Sequence, residues 1–295
     1  MKVLVTGGGG QLSTSLSRLH GQPLESGNRV EVVSLGVNEL DITVPDDVTR
    51  AFGIHRPDVV VNAAAYTAVD KAESEEDVAM RINVDGPRNL ASACRVNGVR
   101  FVQVSTDFVF PGTGHFPITI DAEVGAISVY GRSKEKGEDA TREILGQDAL
   151  IVRTAWVYAA GHSNFVASML RLMGTRDEVG VVADQIGTPT WVTTLASGLL
   201  ELIDLEAAGT HHLTDAGVAS WYDFAVAIGE IGRERGLLKN ECRIHPIRTI
   251  DYPTPAQRPA YCVLDKTPTF KVLGRPSPHW RESLTSCLSN WSDPT

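Results

Sequence analysis

Val3-Leu4-Val5-Thr6-Gly7-Gly8-Gly9-Gly10-Gln11-Leu12 opens the chain with a short apolar run, then glycines, then a segment carrying leucines at Leu12, Leu16 and Leu19. The apolar run reads as a strand, and leucines at that spacing share one face of a helix. A glycine turn between a strand and a helix lets a ligand phosphate approach backbone N–H groups at the positive end of the helix. Gly7 and Gly10 match the first two glycines of a G-x-x-G-x-x-G loop, a relative of the dinucleotide fingerprint. Ser13 occupies the third glycine position. It is expected to crowd the helix–strand packing slightly without touching the phosphate-contacting turn. A plain flexible turn is the alternative, but the strand–loop–helix setting favours the nucleotide.

The same alternation continues downstream. Residues 30–33 read as a second strand and 46–55 as a short helix, and Asp58-Val59-Val60-Val61-Asn62 reads as a third strand. A helix is expected from Asp77 to Asn97, with Val78, Ile82, Leu90 and Ala93 on its apolar side. Phe101-Val102-Gln103-Val104 reads as a fourth strand, Tyr130 to Ile144 as a long helix, and Ala149-Leu150-Ile151-Val152 as a fifth strand. Uninterrupted apolar strands alternating with helices predict an α/β fold, a doubly wound parallel sheet of Rossmann type with both faces covered. Prolines at 246, 253, 255, 259, 268, 276 and 278 mark a change of character in the second half. We therefore expect residues 1–155 to form a dinucleotide-binding domain and 156–295 to be mainly a smaller substrate domain with long loops. Some segments of the second half are expected to return to the first.

Bulk properties narrow the function. The net charge of −9 over 295 residues, with no dense Lys/Arg stripe, argues against nucleic acid as a partner. The N-terminal apolar run is too short for a signal peptide or a membrane span, so no membrane partner is expected. Cys94, Cys242, Cys262 and Cys287 are far apart and lack metal-ligand spacing. Reduced thiols in a cytoplasmic protein are the expectation.

Further pieces carry chemistry. Asn62-Ala63-Ala64-Ala65 ends the third strand with small side chains, which leave a crevice for a ligand or simply allow tight packing. After the second strand come Ser34-Leu35-Gly36, with neither an acid for a ribose 2′-hydroxyl nor an arginine for a 2′-phosphate. NADH and NADPH both stay open. Asp41, beside Ile42, is positioned to bound the adenine or ribose end, although an acid before a helix has the same appearance. Thr106, after the fourth strand, falls at the carboxyl edge of the sheet, where its hydroxyl could bond a substrate carbonyl or cap a turn. Ser105 is the neighbouring alternative. Tyr130 and Lys134 stand one helical turn apart on one face. A lysine beside a tyrosine favours the phenolate and makes the phenol a usable proton donor and acceptor.

Together these stretches resemble the extended short-chain dehydrogenase/reductase superfamily, and more closely the dTDP-4-dehydrorhamnose reductase family. The resemblance runs nearly end to end. It rests on Gly7 to Leu12, the run Asn62 to Glu73, Ser105-Thr106-Asp107, Tyr130-Gly131-Arg132-Ser133-Lys134, Arg153-Thr154-Ala155-Trp156-Val157-Tyr158, Gly187-Thr188-Pro189-Thr190 and Arg258-Pro259. It implies Tyr130 as general acid, Lys134 as holder of the nicotinamide ribose, and Thr106 as polariser of the ketone. It implies coenzyme contacts from Gly7, Gly10, Gln11, Leu12, Asp41, Ile42, Ala63, Ala64 and Ala65, besides Tyr130 and Lys134. Trp156 is expected over the sugar or beside the nicotinamide, with a core aromatic as the alternative. Arg258 is expected either at the nucleotide-sugar diphosphate or as a loop-tying arginine.

Departures from the family pattern bear on substrate identity. Phe108 stands where a tyrosine is usual, removing one hydroxyl contact to the sugar, and Cys262 replaces a serine. Ala126 and Ser128 replace proline and asparagine. Ser15 and Thr193 stand where some relatives carry Mg²⁺-binding glutamates at a dimer contact, so no metal is predicted. The implied activity is NADPH- or NADH-dependent reduction of a nucleotide-linked 4-keto-6-deoxy sugar. The substrate is expected to be dTDP-4-dehydro-L-rhamnose. A nucleotide-sugar epimerase or dehydratase, and a regulatory subunit related to the partner of S-adenosylmethionine synthetase, are the alternatives. A homodimer is among the assemblies left open.

Overall fold

The computed structural model describes residues 1–292. The first half alternates β1 (Lys2–Thr6), α1 (Gln11–Ser17), β2 (Glu31–Leu35), α2 (Pro45–His55), β3 (Val59–Asn62), α3 (Val69–Ala72) and α4 (Glu76–Met80). A π-turn (Arg81–Asp85) leads into α5 (Gly86–Asn97), β4 (Arg100–Thr106), α6 (Val129–Leu145) and β5 (Leu150–Thr154). The second half holds β6 (Val157–Tyr158), α7 (Phe165–Thr175), β7 (Glu178–Val182), β8 (Ile186–Gly187), β9 (Thr190–Trp191) and α8 (Val192–Asp204). It closes with β10 (Gly209–His212), β11 (Ala219–Ser220), α9 (Trp221–Glu234), β12 (Arg243–Ile247), α10 (Thr267–Leu273) and α11 (Trp280–Ser289).

The main sheet is parallel, with the order β10-β5-β4-β3-β1-β2. Side-chain alternation explains its two covered faces. Val3 and Val5 join the cluster with Leu16 of α1 and Leu199 of α8, whereas Leu4 joins Phe52 of α2 and Leu90 of α5. The chain passes from β1 to β2 on one side and to β3 on the other. That reversal opens a crevice at the carboxyl ends of β1 and β3. A separate core forms where α7, α9 and α11 pack with Val179 and Val181 of β7, around Phe224, Met173 and Leu284.

Several boundaries differ from expectation. Helix α1 stops at Ser17, leaving Leu19 in a turn that still packs on the core. Strand β2 is shifted to Glu31–Leu35, and β5 runs on to Thr154. The single helix expected from Asp77 to Asn97 is interrupted at Arg81–Asp85. Pro87 lacks the N–H that the Asn83 carbonyl would otherwise accept, so the helix widens there. Burial accordingly falls on Ala79, Asn83, Leu90, Ala91 and Cys94, while Val78 and Ala93 are only half-buried. The second half is more regular than its prolines suggested, with α8 and α9 spanning 13 and 14 residues.

The widened turn has a partner on α6. A Cβ on Gly137 would stand 2.1 Å from the Asn83 carbonyl oxygen. Gly137→Ala therefore destabilises the fold by about 1–3 kcal/mol, despite alanine's better helix propensity, because backbone must move. Denaturant unfolding checks this; unchanged stability would mean that Gly137 does not set the spacing of the two helices.

Candidate active site

The residues given catalytic, coenzyme or substrate roles from the sequence all line one cleft of about 1260 Å³ over the carboxyl ends of the strands. Gly7, Gly10, Gln11 and Leu12 form one wall, Asp41 and Ile42 one end, and Ala63, Ala64 and Ala65 the floor. Thr106, Phe108, Tyr130, Lys134, Trp156 and Arg258 surround the other end. A second cleft of about 790 Å³ shares Asp107, Phe108, Trp156, Phe165, Trp221 and Arg258 with the first.

The glycine loop fits tightly on β3. Gly7 has φ of +72°, and a Cβ there would lie 2.9 Å from the Ala64 Cα. Ser13 does more than crowd the helix. Its Oγ reaches the Gly7 carbonyl at 2.8 Å and the Gly10 carbonyl at 3.0 Å, so it ties the turn that a third glycine would leave free. The first turn of α1 holds no acidic residue, and its leading N–H groups have no partner within the helix. Such a cradle suits an anionic dinucleotide. Asp41 is partly committed, since its Oδ1 accepts from the Thr43 amide at 2.9 Å and hydroxyl at 2.8 Å.

Under the floor runs a buried polar row. Thr6 donates to Asn62 Oδ1 at 2.6 Å, Asn62 donates to Gln103 Oε1 at 2.9 Å, and Gln103 donates to the Val104 carbonyl at 3.0 Å. That carbonyl also accepts from Lys134 Nζ at 2.7 Å.

Here one electrostatic expectation is corrected. Lys134 does not lower the Tyr130 phenol in this structure, because its ammonium turns to Val104. Burial pushes the phenol up to about 12, with the Thr106 hydroxyl opposing and Asp107 adding to the rise. The phenol is thus protonated at neutral pH, the state a proton donor needs. Burial drives Lys134 down to about 8, and Glu138 holds it from falling further. Thr106 Oγ1 accepts from the Phe108 amide at 3.2 Å and donates to Asp107 Oδ1 at 2.9 Å. Asp107 is buried, which raises its carboxyl to about 7 against the Thr106 hydrogen bond. Phe108 meets the Tyr130 ring edge-on at 5.5 Å, so it forms an apolar wall for the phenol.

Trp156 has φ of +48°, rare for a bulky residue, and stacks on Trp221 at 3.6 Å and 7°. Its indole fills the space beside Gly187, where a Cβ would come within 2.7 Å. Arg258 is tied rather than free. It meets Asp70 at 2.7 and 2.9 Å, and also Thr254 Oγ1 and the Ala256 carbonyl. Of the two roles left open for it, the loop tie is the one seen. Sequence reasoning missed Asp107 and Trp221, which line the cleft, and Asp70, which ties Arg258. Asp70 and Asp107 lie inside motifs already quoted, so an acid beside a motif hydroxyl or opposite a lone arginine was an available signal.

The family model described as RmlD substrate binding domain matches residues 1–292. The chain is 43% identical over 288 residues to a dTDP-4-dehydrorhamnose reductase of Streptomyces griseus, covering 96% of this chain and 91% of that protein. It is also similar to the solved structure of a dTDP-4-dehydrorhamnose reductase of Clostridium acetobutylicum. There the TM-score is 0.89 and the identity 41%, with 98% of each chain covered. A third relative, a dTDP-4-dehydrorhamnose reductase of Bacillus anthracis solved in complex with NADP, gives a TM-score of 0.88 at 33% identity, covering 97% of this chain and 98% of that one.

Proposed function

The chain belongs to the RmlD substrate binding domain family, and from that premise we propose that it is an NADPH- or NADH-dependent oxidoreductase. Its reaction is reduction of the 4-keto group of a dTDP-linked 6-deoxy sugar, dTDP-4-dehydro-L-rhamnose to dTDP-L-rhamnose. The observation that carries this is the convergence of Thr106, Tyr130 and Lys134 at the carboxyl end of β4, beside the glycine cradle and in one cleft. Relatives named for this reaction, one of them solved with NADP, support it.

Gly7, Gly10, Gln11, Leu12 and Ala63 to Ala65 hold the coenzyme, with Asp41 and Ile42 at its adenosine end. Bound there, reduced nicotinamide supplies the hydride that the sugar C4 accepts. Tyr130 gives its hydroxyl proton to the sugar oxygen, so the ketone becomes an alcohol and the phenolate is left to be reprotonated. Thr106 turns its hydroxyl proton from Asp107 to that oxygen as charge develops there. Lys134 holds the nicotinamide ribose through its ammonium. Phe108 and Trp156 shape the sugar end, and Arg258, locked to Asp70, ties the loop over it. Residues 1–155 serve the coenzyme and 156–295 mainly the sugar nucleotide, with α8 and β10 returning to the first part. We assign the reaction to the cytoplasm, in keeping with the four free, buried cysteines.

The test is direct: purified protein, the keto sugar, and NADPH or NADH, with nicotinamide absorbance followed and the product identified by NMR. No decrease with either coenzyme overturns the proposal. A pH dependence also follows. The ammonium form of Lys134 exists below its value of about 8. The kcat/KM is therefore flat below that pH and falls tenfold per unit above it, as measured in stopped assays from pH 6 to 10. A profile flat to pH 10 would remove Lys134's charge from the mechanism.

A further inference from the structure

Tyr130, Lys134, Glu138 and Arg142 form one stripe at four-residue intervals along α6. The first two face the cleft, whereas Glu138 is fully enclosed, with its side chain 1% exposed. Its carboxylate is bonded on both oxygens. Arg153 of β5 donates from Nε to Oε1 at 2.9 Å and from a terminal nitrogen to Oε2 at 2.7 Å. Ser105 of β4 donates to Oε1 at 2.5 Å, and Arg142 to Oε2 at 2.8 Å. Arg153 is itself held by the Ile120 carbonyl at 3.2 Å and lies over the Phe110 ring.

Three consecutive residues of β4 therefore meet three turns of α6. The Val104 carbonyl receives Lys134, Ser105 bonds Glu138, and Thr106 stands beside the Tyr130 phenol. We propose that Glu138 is a positioning residue for Lys134: clamped by Arg153 and Ser105, it fixes how α6 sits on β4 and supplies the negative charge one turn behind the ammonium. The inference rests on the reductase proposal for its functional meaning. A buried ion pair adds little net stability over an apolar pair of similar volume, so stability alone does not account for it.

The charges around the pair set the sign of the effect. Arg153 comes from β5, Arg142 from α6 and the His212 imidazole from β10, while the Tyr130 phenol lies one turn ahead. Burial drives His212 down to about 4, so it is neutral at working pH. Burial raises the Glu138 carboxyl, but Arg153 and its other donors hold it below the usual range overall, so it is charged there too. Removing that charge leaves burial unopposed at Lys134, which disfavours the ammonium.

The experiment titrates Lys134 in full-length protein labelled with ¹³Cε-lysine, its signal assigned by loss in Lys134→Met. Glu138→Gln moves the midpoint down by roughly half a unit to one unit. The alkaline limb of kcat/KM moves with it. Glu138→Asp, which keeps the charge, returns the midpoint toward wild type. Because Glu138→Gln strands Arg153, the double variant Glu138→Gln/Arg153→Met serves as the variant that folds, and its midpoint also falls. An unchanged midpoint in either folded variant overturns the proposal. If wild type reduces no keto sugar, the reductase proposal fails, but the titration still decides whether Glu138 sets Lys134.

Discussion

Tyr130→Phe lowers kcat/KM by about 10²–10⁴-fold, the usual worth of a positioned general acid. The ring is kept, so the edge-on contact with Phe108 survives and the cleft wall does not collapse. Only the hydroxyl is lost, and with it the proton for the sugar oxygen. Burial keeps that proton on the phenol up to about pH 12 in the free enzyme. On the proposed mechanism the phenol therefore enters each turnover protonated across the neutral range. Coenzyme affinity, read by fluorescence titration, changes little, because Lys134 and the glycine cradle remain. Turnover within a few-fold of wild type would remove Tyr130 as the acid and shift attention to Thr106 and Asp107.

The second large effect is on the coenzyme. Gly7→Ala weakens NADPH binding by about a hundredfold, roughly 2.8 kcal/mol. Two costs combine at this position. An alanine at φ of +72° is strained by roughly 1–2 kcal/mol. Its Cβ also overlaps backbone, with Ala64 N and Cα at 2.9 Å and the Ala63 carbonyl oxygen at 3.0 Å, so the loop must lift from β3. Gly9→Ala separates the two. Gly9 has φ of +83° but nothing within 4 Å of its added Cβ, so it carries the strain without the overlap. Isothermal titration of both variants is the measurement. Equal losses at the two positions would show that close approach to β3 plays no part.

What could be read from the sequence follows physical range. Strands β1 and β3 were legible because unbroken apolar residues end sharply at glycine or asparagine, and β4 because its apolar residues, broken only by Gln103, end at serine and threonine. The spacing of Tyr130 and Lys134 was legible because it is local. The direction of the Lys134 ammonium was not, since the carbonyl that turns it lies 30 residues away. Asp70 and Arg258 are 188 positions apart, and nothing in either neighbourhood announces the other. The widened turn at Arg81–Asp85 packs closely against Gly137, and local helix periodicity carries no trace of that contact. Strand β10, Gly-Thr-His-His, lacks an apolar run altogether. Its place comes from backbone pairing with β5. Trp221 begins a helix with a capping box of its own, so its stacking on Trp156 was hidden behind a good local explanation.

The polar row beneath the cleft bears on how the sheet aligns its strands. Strands buried on both faces, such as Val59-Val60-Val61, lose little hydrophobic burial if they slide by one residue, because every side chain is apolar. Alternation cannot specify alignment where there is no polar face to punish the error. Thr6, Asn62 and Gln103 sit in one line across β1, β3 and β4, with Asn62 directly opposite Gln103. A one-residue slip would set Asn62 against Val102 or Val104, stranding buried amide groups at about 1–3 kcal/mol each. The row thus acts as an alignment key. The same three side chains that end at the carbonyl holding Lys134 make the correct pairing of these strands distinguishable from its nearest neighbours.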